Sequence, residues 1–256
     1  MNLLFLLLGM SIVTSTTDIS SVVEMIAPKD AIVYNLVPGG MCPGHFDLSP
    51  GEANKLFLSD LIIYHGFESW LKKVKKLKLD AKMVDLHTDG NWMIPDVYMK
   101  GAGEIAGILK KEYDSDSVSI DRIESNYKKL EMRIDSLSLI ITRKKEPIKG
   151  VKVICNEHQK DFLEFLGAEV VCAFSPGDDI SLKEIAEVIK AGRDKNARLV
   201  VDNLQSGQKV GRTIADELKI NYIILSNFPE ENGYRATLLN NINLLLDILS
   251  DRHTKN

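Results

Sequence analysis

The sequence predicts an α/β protein of two lobes, each a parallel sheet with helices on both faces, joined by one long backbone helix. Short apolar runs alternate with amphipathic segments along almost all 256 residues, which is typical of parallel sheets covered by helices. The most regular helical pattern lies in the middle and divides this alternation in two. The 45% hydrophobic content is that of a packed globular protein, and no stretch approaches the about 20 apolar residues of a membrane-spanning helix.

Charge, cysteine content and motifs exclude several classes of protein. A net charge of −4 argues against a protein that mainly holds nucleic acid, so we expect no nucleic-acid partner. Three cysteines are too few, and odd in number, for a disulfide framework. No phosphate loop or nucleophile elbow is present, and the dinucleotide-like glycines of residues 101–106 lie inside a helical pattern rather than after a strand. We therefore do not expect an enzyme.

The first ten residues, MNLLFLLLGM, are interpreted as a truncated signal segment, residues 1–10. They resemble the apolar region of a secretory signal but lack the basic residues that normally precede one. Residues 13–15 fit a cleavage site, whereas residues 11–15 fit a first strand followed by a helix that Thr17 or Ser20 caps. We prefer the strand, and we expect an exported protein of the periplasm or cell surface.

The first lobe is predicted to cover residues 11–116. Its later strands are expected at residues 31–37, 61–64 and 82–86, and its later helices at residues 51–59, 68–77 and 96–113. One helix carries a run of lysines: Lys72, Lys73, Lys75, Lys76 and Lys78. Such a run can bind an anionic surface, but we interpret it as a solvated helix face.

A linking helix is predicted within residues 117–146. Apolar residues recur at spacings of three and four from Ile120 to Ile141, Ser117 or Ser119 can cap the start, and Pro147 prevents the helical pattern from continuing. A helix over residues 119–143 would be about 36 Å long. A rod of that length between two α/β halves suggests a spine that joins two lobes.

The second lobe is predicted to cover residues 147–256. Its expected strands are residues 151–155, 169–173, 199–201 and 222–225, and its helices are residues 160–166, 182–191, 210–218 and 237–249. Ligands of open parallel sheets bind at the carboxyl ends of the strands. The important loops are therefore residues 38–46, 88–94, 156–159, 202–205 and 226–229.

Two of these loops carry the same pair of soft metal ligands at the same spacing. One holds Cys42 and His45, the other Cys155 and His158, with Glu157 beside the second pair. Thiolate and imidazole together favour zinc, copper or nickel over magnesium or calcium. For the second pair an alternative stays open, in which Cys155 is a small buried side chain at a strand end and His158 caps a helix. These five residues are the candidate metal ligands.

The segment N-L-V-P-G-G-M-C-P-G-H-F-D-L-S-P, followed by D-L-I-I-Y-H-G-F-E-S-W-L, resembles the metal-binding receptors of ABC-type zinc and manganese importers. In that family a post-strand histidine lies in a pattern like H-x-Y-E-x-T-P, and His45 stands in its place. G-N-W-M-I-P, the long helix and F-L-E-F-L-G-A-E-V-V fit the same template, so the resemblance covers nearly the whole chain. It implies the two-lobe fold and a receptor that serves an ABC permease.

The sequence departs from this family at the other ligand positions. The resemblance places the family's second histidine at Gly90, its third ligand at Asn156 and its fourth, an aspartate, at Ser226, so only His45 is retained. We predict a monomeric extracytoplasmic receptor that captures a soft, zinc-like transition-metal ion in the cleft between the lobes. The alternative is the same receptor fold with a metal chelate or a small organic ligand instead of a bare ion.

Overall fold

The computed structural model describes residues 9–77, 79–177 and 180–250. Most of the predicted signal segment, residues 1–8, lies outside the described residues, as does Lys78 of the lysine run. Two four-stranded parallel sheets and a long connecting helix confirm the predicted fold class. The chain divides into a first unit, which runs to Asp89 and includes Asp96–Asp135, and a second unit, formed by Gly90–Pro95 and the chain from Ser136 onward.

The sheet of the first unit has the strand order β2-β1-β3-β4, all parallel. The strands are β1 (Ser11–Thr14), β2 (Ile32–Asn35), β3 (Leu61–Tyr64) and β4 (Lys82–Asp85). The helices are α1 (Thr17–Ile26), α2 (Pro50–Phe57), α3 (Leu71–Val74) and α4 (Pro95–Glu112). The central strand β3 is buried along its whole length, whereas the edge strand β2 alternates between exposed and half-buried residues.

The helices of this unit begin or end differently from the prediction. Helix α3 covers only Leu71–Val74 instead of residues 68–77, and like charges four residues apart, such as Lys72 and Lys76, oppose its extension. Helix α1 begins at Thr17, so its cap position is Thr16 and not Thr17 or Ser20. Helix α2 begins one residue before the predicted start, at Pro50, and a capping box between Ser49 and Glu52 holds that start.

The connecting helix α5 (Ser117–Lys144) has 28 residues, about 42 Å at the rise of an α-helix. Its start is held by Asp116 rather than by Ser117 or Ser119. The Asp116 carboxylate accepts hydrogen bonds from the Val118 and Ser119 amides (3.1 and 3.3 Å) and from the Ser119 hydroxyl (2.6 Å). Hydrogen bonding from Ser119 lowers the pKa of Asp116, so its negative charge faces the positive end of the helix dipole.

The second unit repeats the strand order of the first, as β6-β5-β7-β8, again all parallel. The strands are β5 (Lys152–Asn156), β6 (Glu169–Phe174), β7 (Leu199–Asn203) and β8 (Asn221–Leu225). The helices are α6 (Lys160–Phe165), α7 (Leu182–Asp194), α8 (Lys209–Leu218) and α9 (Gly233–Ser250). In each sheet the order reverses between the two central strands, so their carboxyl ends are where a ligand is expected. None of the described helices is both long and apolar enough to cross a membrane.

Candidate metal centre

The loop after β2 presents Cys42 and His45 on a tight turn. The His45 amide donates a hydrogen bond to the Cys42 carbonyl (3.1 Å), and a Cβ placed on Gly44 would lie 3.6 Å from the Cys42 Sγ. His45 is exposed and Cys42 is half-buried, so both can meet a ligand from solvent. The two soft donors of this glycine-rich loop therefore share one turn.

The part of this loop that follows His45 packs against the core of the first unit. Phe46 and Leu48 pack against the core that β1, β3 and α2 form. The Ser69 hydroxyl donates a hydrogen bond to the Phe46 carbonyl (2.9 Å), and Lys73 pairs with Asp47 at 2.8 Å. A loop fixed in this way loses little freedom when its donors bind an ion.

The segments that follow the carboxyl ends of β1 and β3 contain a buried ion pair that was not predicted from the sequence. His65 Nε2 lies 3.2 Å from Asp18 Oδ2 and 3.3 Å from Oδ1, and the Phe67 ring stacks on the imidazole. Burial alone lowers the pKa of His65, but the charge of Asp18, its hydrogen bond and the carboxylates of Glu68 and Glu104 outweigh burial and raise it. In the sequence, His65 directly follows one buried strand, β3, and Asp18 lies in the helix that follows the neighbouring strand, β1.

Glu68 belongs to the same cluster of side chains. Its carboxylate is buried and accepts hydrogen bonds from the His65 amide (2.8 Å) and the Gly66 amide (2.7 Å). Gly66 has a φ of +104°, which only glycine adopts without strain. The cluster therefore holds the turn after β3 in one shape, and its side chains are engaged in internal contacts.

In the second unit, the three positions that match family ligands take part in local structure instead. The Asn156 side chain accepts a hydrogen bond from the His158 amide (3.1 Å) and donates one to Asp202 (3.3 Å). The Ser226 hydroxyl donates to the Phe228 carbonyl at 2.8 Å. Gly90 has a φ of +110°, so a histidine could not replace it without backbone strain.

Around these positions lies an uncharged group of side chains that we call the amide cluster: Asn91, Asn156, Gln159, Asn203, Gln205 and Asn227. Asn91 donates to the His158 carbonyl (2.9 Å) and to Asn227 (3.0 Å), and Gln159 donates to Asn203 (3.0 Å) and Asn227 (2.8 Å). These residues come from four separate loops. The sequence signal was an asparagine or glutamine in each of those loops.

The carboxylate of Asp202 contacts the amide cluster through Asn156 and Asn203. Asp202 at the end of β7 is fully buried; burial raises its pKa, while hydrogen bonds from the Asn203 amide, Tyr222 and Asn156 oppose that rise. It accepts the Asn203 amide at 2.8 Å and the Tyr222 hydroxyl at 3.1 Å, so its oxygens are already used. The Gln159 Oε1 is buried and accepts no hydrogen bond from the residues that the structure describes.

The three donors predicted at the end of β5 separate into one buried and two exposed residues. Cys155 is 0% exposed, and burial raises the pKa of its thiol to about 12, which opposes the thiolate that a metal requires. Cys155 therefore has the position that the alternative interpretation gives it, a small buried side chain at a strand end. Glu157 and His158 are exposed, and desolvation of the imidazole lowers the pKa of His158, which favours the neutral form that binds metals. Among the described residues, no three His, Cys, Asp or Glu side chains are grouped so as to hold a metal ion.

Comparison with known proteins identifies the family. The sequence profile of ZnuA, described as zinc-uptake complex component A periplasmic, matches residues 12–251. No curated protein matches the chain in sequence. Among solved structures the chain is similar to a zinc-bound deletion mutant of ZnuA, at 20% identity and a TM-score of 0.77 over 93% of this chain and 96% of that one.

Two further structures share the fold. The laminin-binding protein Lbp of Streptococcus pyogenes has 18% identity, and a cadmium-bound periplasmic metal-binding protein from Candidatus Liberibacter asiaticus has 17%. Each match covers 94% of this chain and 100% of the other, with a TM-score of 0.77. The profile match spans nearly the whole chain, and the chain belongs to the ZnuA family, the non-enzymatic periplasmic metal-binding components of zinc and manganese uptake ABC systems.

Proposed function

We propose that this chain is an extracytoplasmic receptor that captures a soft transition-metal ion, zinc above all, and delivers it to an ABC permease. The observation that carries the proposal is the anchored turn with an exposed His45 at the family's ligand position and Cys42 beside it. A thiolate and an imidazole prefer zinc, copper or nickel to manganese. The further donors we propose are His158 and Glu157, because both are exposed directly after β5. The buried Cys155 is left out of this set.

The donor set also suits a receptor that must release its cargo. Of the family's four ligand positions only His45 keeps a metal ligand, so the remaining donors are the half-buried Cys42 and the exposed Glu157 and His158. Ordering such side chains costs free energy when the ion binds and returns it when the ion leaves. A thiolate ligand also oxidises readily, so the proposed site works best under reducing conditions.

The test is metal analysis of the anaerobically purified chain by native mass spectrometry, followed by zinc titration in a calorimeter. We expect one ion per chain. His45→Ala and Cys42→Ser should each weaken zinc binding by more than about a hundredfold, since even partners outside the ligand shell cost about 10–100-fold. His87→Ala is the matched control, because His87 is another exposed histidine of the first unit. An unchanged affinity in His45→Ala would remove the proposal.

A second candidate is supported by the amide cluster. Uncharged amides stand around the positions of three lost ligands, and amides recognise hydrogen-bonding groups better than bare soft ions. A ligand that brings its own metal donors, such as a metal chelate, or a small organic anion would suit such a surface. Thermal stabilisation by zinc citrate but by no free divalent ion would favour this candidate over the first. Stabilisation by free zinc alone would exclude it.

A further inference from the structure

The turn that carries two of the proposed donors is held by side chains of the amide cluster. Residues Glu157–Gln159 form one 3₁₀ turn directly after β5. The His158 amide of this turn donates a hydrogen bond to Asn156 Oδ1 (3.1 Å). The His158 carbonyl accepts one hydrogen bond from Asn91 Nδ2 (2.9 Å) and another from Asn227 Nδ2 (3.1 Å). The main chain of His158 is therefore fixed at both of its polar groups, while the residue stays exposed to solvent.

The last residue of the turn, Gln159, ties it to the neighbouring strands. Its side chain is buried, and Nε2 donates to Asn203 Oδ1 (3.0 Å) and to Asn227 Oδ1 (2.8 Å). Asn203 is the last residue of β7, and Asn227 follows the end of β8. Since β7 lies between β5 and β8 in the sheet, the turn is held at the carboxyl ends of three adjacent strands.

Asn91 uses both polar atoms of its side chain in this arrangement. Besides its bond to the His158 carbonyl, Nδ2 donates to Asn227 Oδ1 (3.0 Å), and Oδ1 accepts a hydrogen bond from the Met93 amide (2.8 Å). Asn91 follows Gly90, the position at which the family resemblance places a second histidine ligand. The loop that lacks a ligand at that position therefore supports a neighbouring turn that presents an imidazole.

We propose that Asn91 is a positioning residue of the metal site, because its bonds to the His158 carbonyl and to Asn227 hold the His158 imidazole ready for the ion. This inference rests on the proposed capture of zinc by His45, Cys42 and His158. A ligand that is already oriented loses less freedom when the ion binds, so part of the affinity comes from residues that never touch the ion. An asparagine suits this role, since its amide donates to the carbonyl without adding a charge to the site.

The test is a double-mutant cycle on the zinc affinity of the full chain, measured by calorimetry with Asn91→Leu, His158→Ala and the double variant. Leucine is close to asparagine in size but makes no side-chain hydrogen bond. Asn91→Leu should weaken zinc binding about 10–100-fold. It should cause no further loss in the His158→Ala background, because Asn91 acts through His158. Asn243→Leu is the matched control, since Asn243 accepts a hydrogen bond from Lys144 (2.9 Å) elsewhere in the second unit.

A second measurement reports on the turn without any metal. In amide hydrogen exchange of the metal-free chain, the peptide that covers Glu157–Gln159 should exchange faster in Asn91→Leu than in the unmodified chain. The peptides of β7 should keep their protection in both proteins, and thermal unfolding should change little. An exchange rate of the turn that Asn91→Leu leaves unchanged would overturn the inference.

The binding results separate this inference from the proposed function. Additive losses in Asn91→Leu and His158→Ala would show that the two residues act independently and would overturn the positioning role. An unchanged affinity in Asn91→Leu, beside a loss in His45→Ala, would overturn this inference alone. A chain that binds no zinc at all would overturn the proposed function and this inference together.

Discussion

Replacing Asp18 with asparagine should destabilise the first unit by an amount that depends on pH. The carboxylate lies 3.2 Å from His65 Nε2, and the two side chains are 3% and 6% exposed. At that distance and an effective dielectric constant of about 20, the attraction between two unit charges is about 5 kcal/mol. Burial of each ion costs several kcal/mol, so the intact pair contributes little net. Removal of Asp18 is different, because it leaves the buried His65 with only the weaker attraction of Glu68 and Glu104, and we expect a loss of about 3 kcal/mol.

The raised pKa of His65 fixes the direction of the pH dependence. A group whose pKa is higher in the folded state contributes stability that is fully present below its unfolded pKa of about 6.5, and that is lost as the pH rises through the folded value. The difference in free energy of unfolding between the unmodified chain and Asp18→Asn should therefore be largest near about pH 6. It should shrink in alkaline solution, where His65 is neutral in both proteins.

The two tryptophans make the measurement specific to one unit. Trp70 is buried in the first unit and Trp92 in the second, so Trp92→Phe leaves a fluorescence signal from the first unit alone. Chemical unfolding in that background gives the free energies at each pH. Asp47→Asn is the control, because Asp47 pairs with Lys73 in full contact with solvent and should change nothing measurable. An equal loss for Asp18→Asn at every pH, or none at about pH 6, would refute the reasoning.

Three further predictions concern single positions. Gly107→Ala in α4 should stabilise the chain by about 0.5–1 kcal/mol in thermal unfolding, since an added Cβ meets no atom of the described residues within 4 Å and alanine favours a helix. Gly211→Ala in α8 should cost about 2–3 kcal/mol in denaturant unfolding, because the Cβ would lie 2.3 Å from Asp202 Oδ2. In the native state at neutral pH, a maleimide should label Cys42 and spare Cys155, whose pKa burial raises to about 12. Labelling of both at equal rates, by mass spectrometry, would contradict the buried position of Cys155.

Much of the fold could be predicted from the sequence because its main signals are local. The spacing of apolar residues predicted the long helix within two residues at its start and one at its end, and short apolar runs predicted the eight strands of the described residues. Helix ends were less predictable, since they depend on single hydrogen bonds. Asp116 caps α5 although the neighbouring serines were equally suitable by residue type.

The site was only partly predictable, because its chemistry depends on which loops meet. His45 and Cys42 could be paired from the sequence because both lie on one turn. The pairing of Asp18 with His65 depends on the segments that follow two neighbouring strands, β1 and β3, and it has no local signature. The sequence left open whether Cys155 is a ligand or a small buried side chain, because its burial depends on the strands that pair with it on both sides, at Ala173 and Val201.

The short segment Gly90–Pro95 makes the second unit discontinuous in sequence. It joins the second unit through Asn91 and through Met93, whose carbonyl accepts a hydrogen bond from the Tyr234 hydroxyl at 3.5 Å, although the chain on both sides belongs to the first unit. No single cut therefore yields two complete pieces. A fragment of residues 136–256 lacks the donor that Asn91 supplies, and a fragment of residues 1–135 carries Trp92 without its packing partners. During synthesis, residues 90–95 emerge long before β8, so the second unit can complete its folding only after nearly the entire chain has been made.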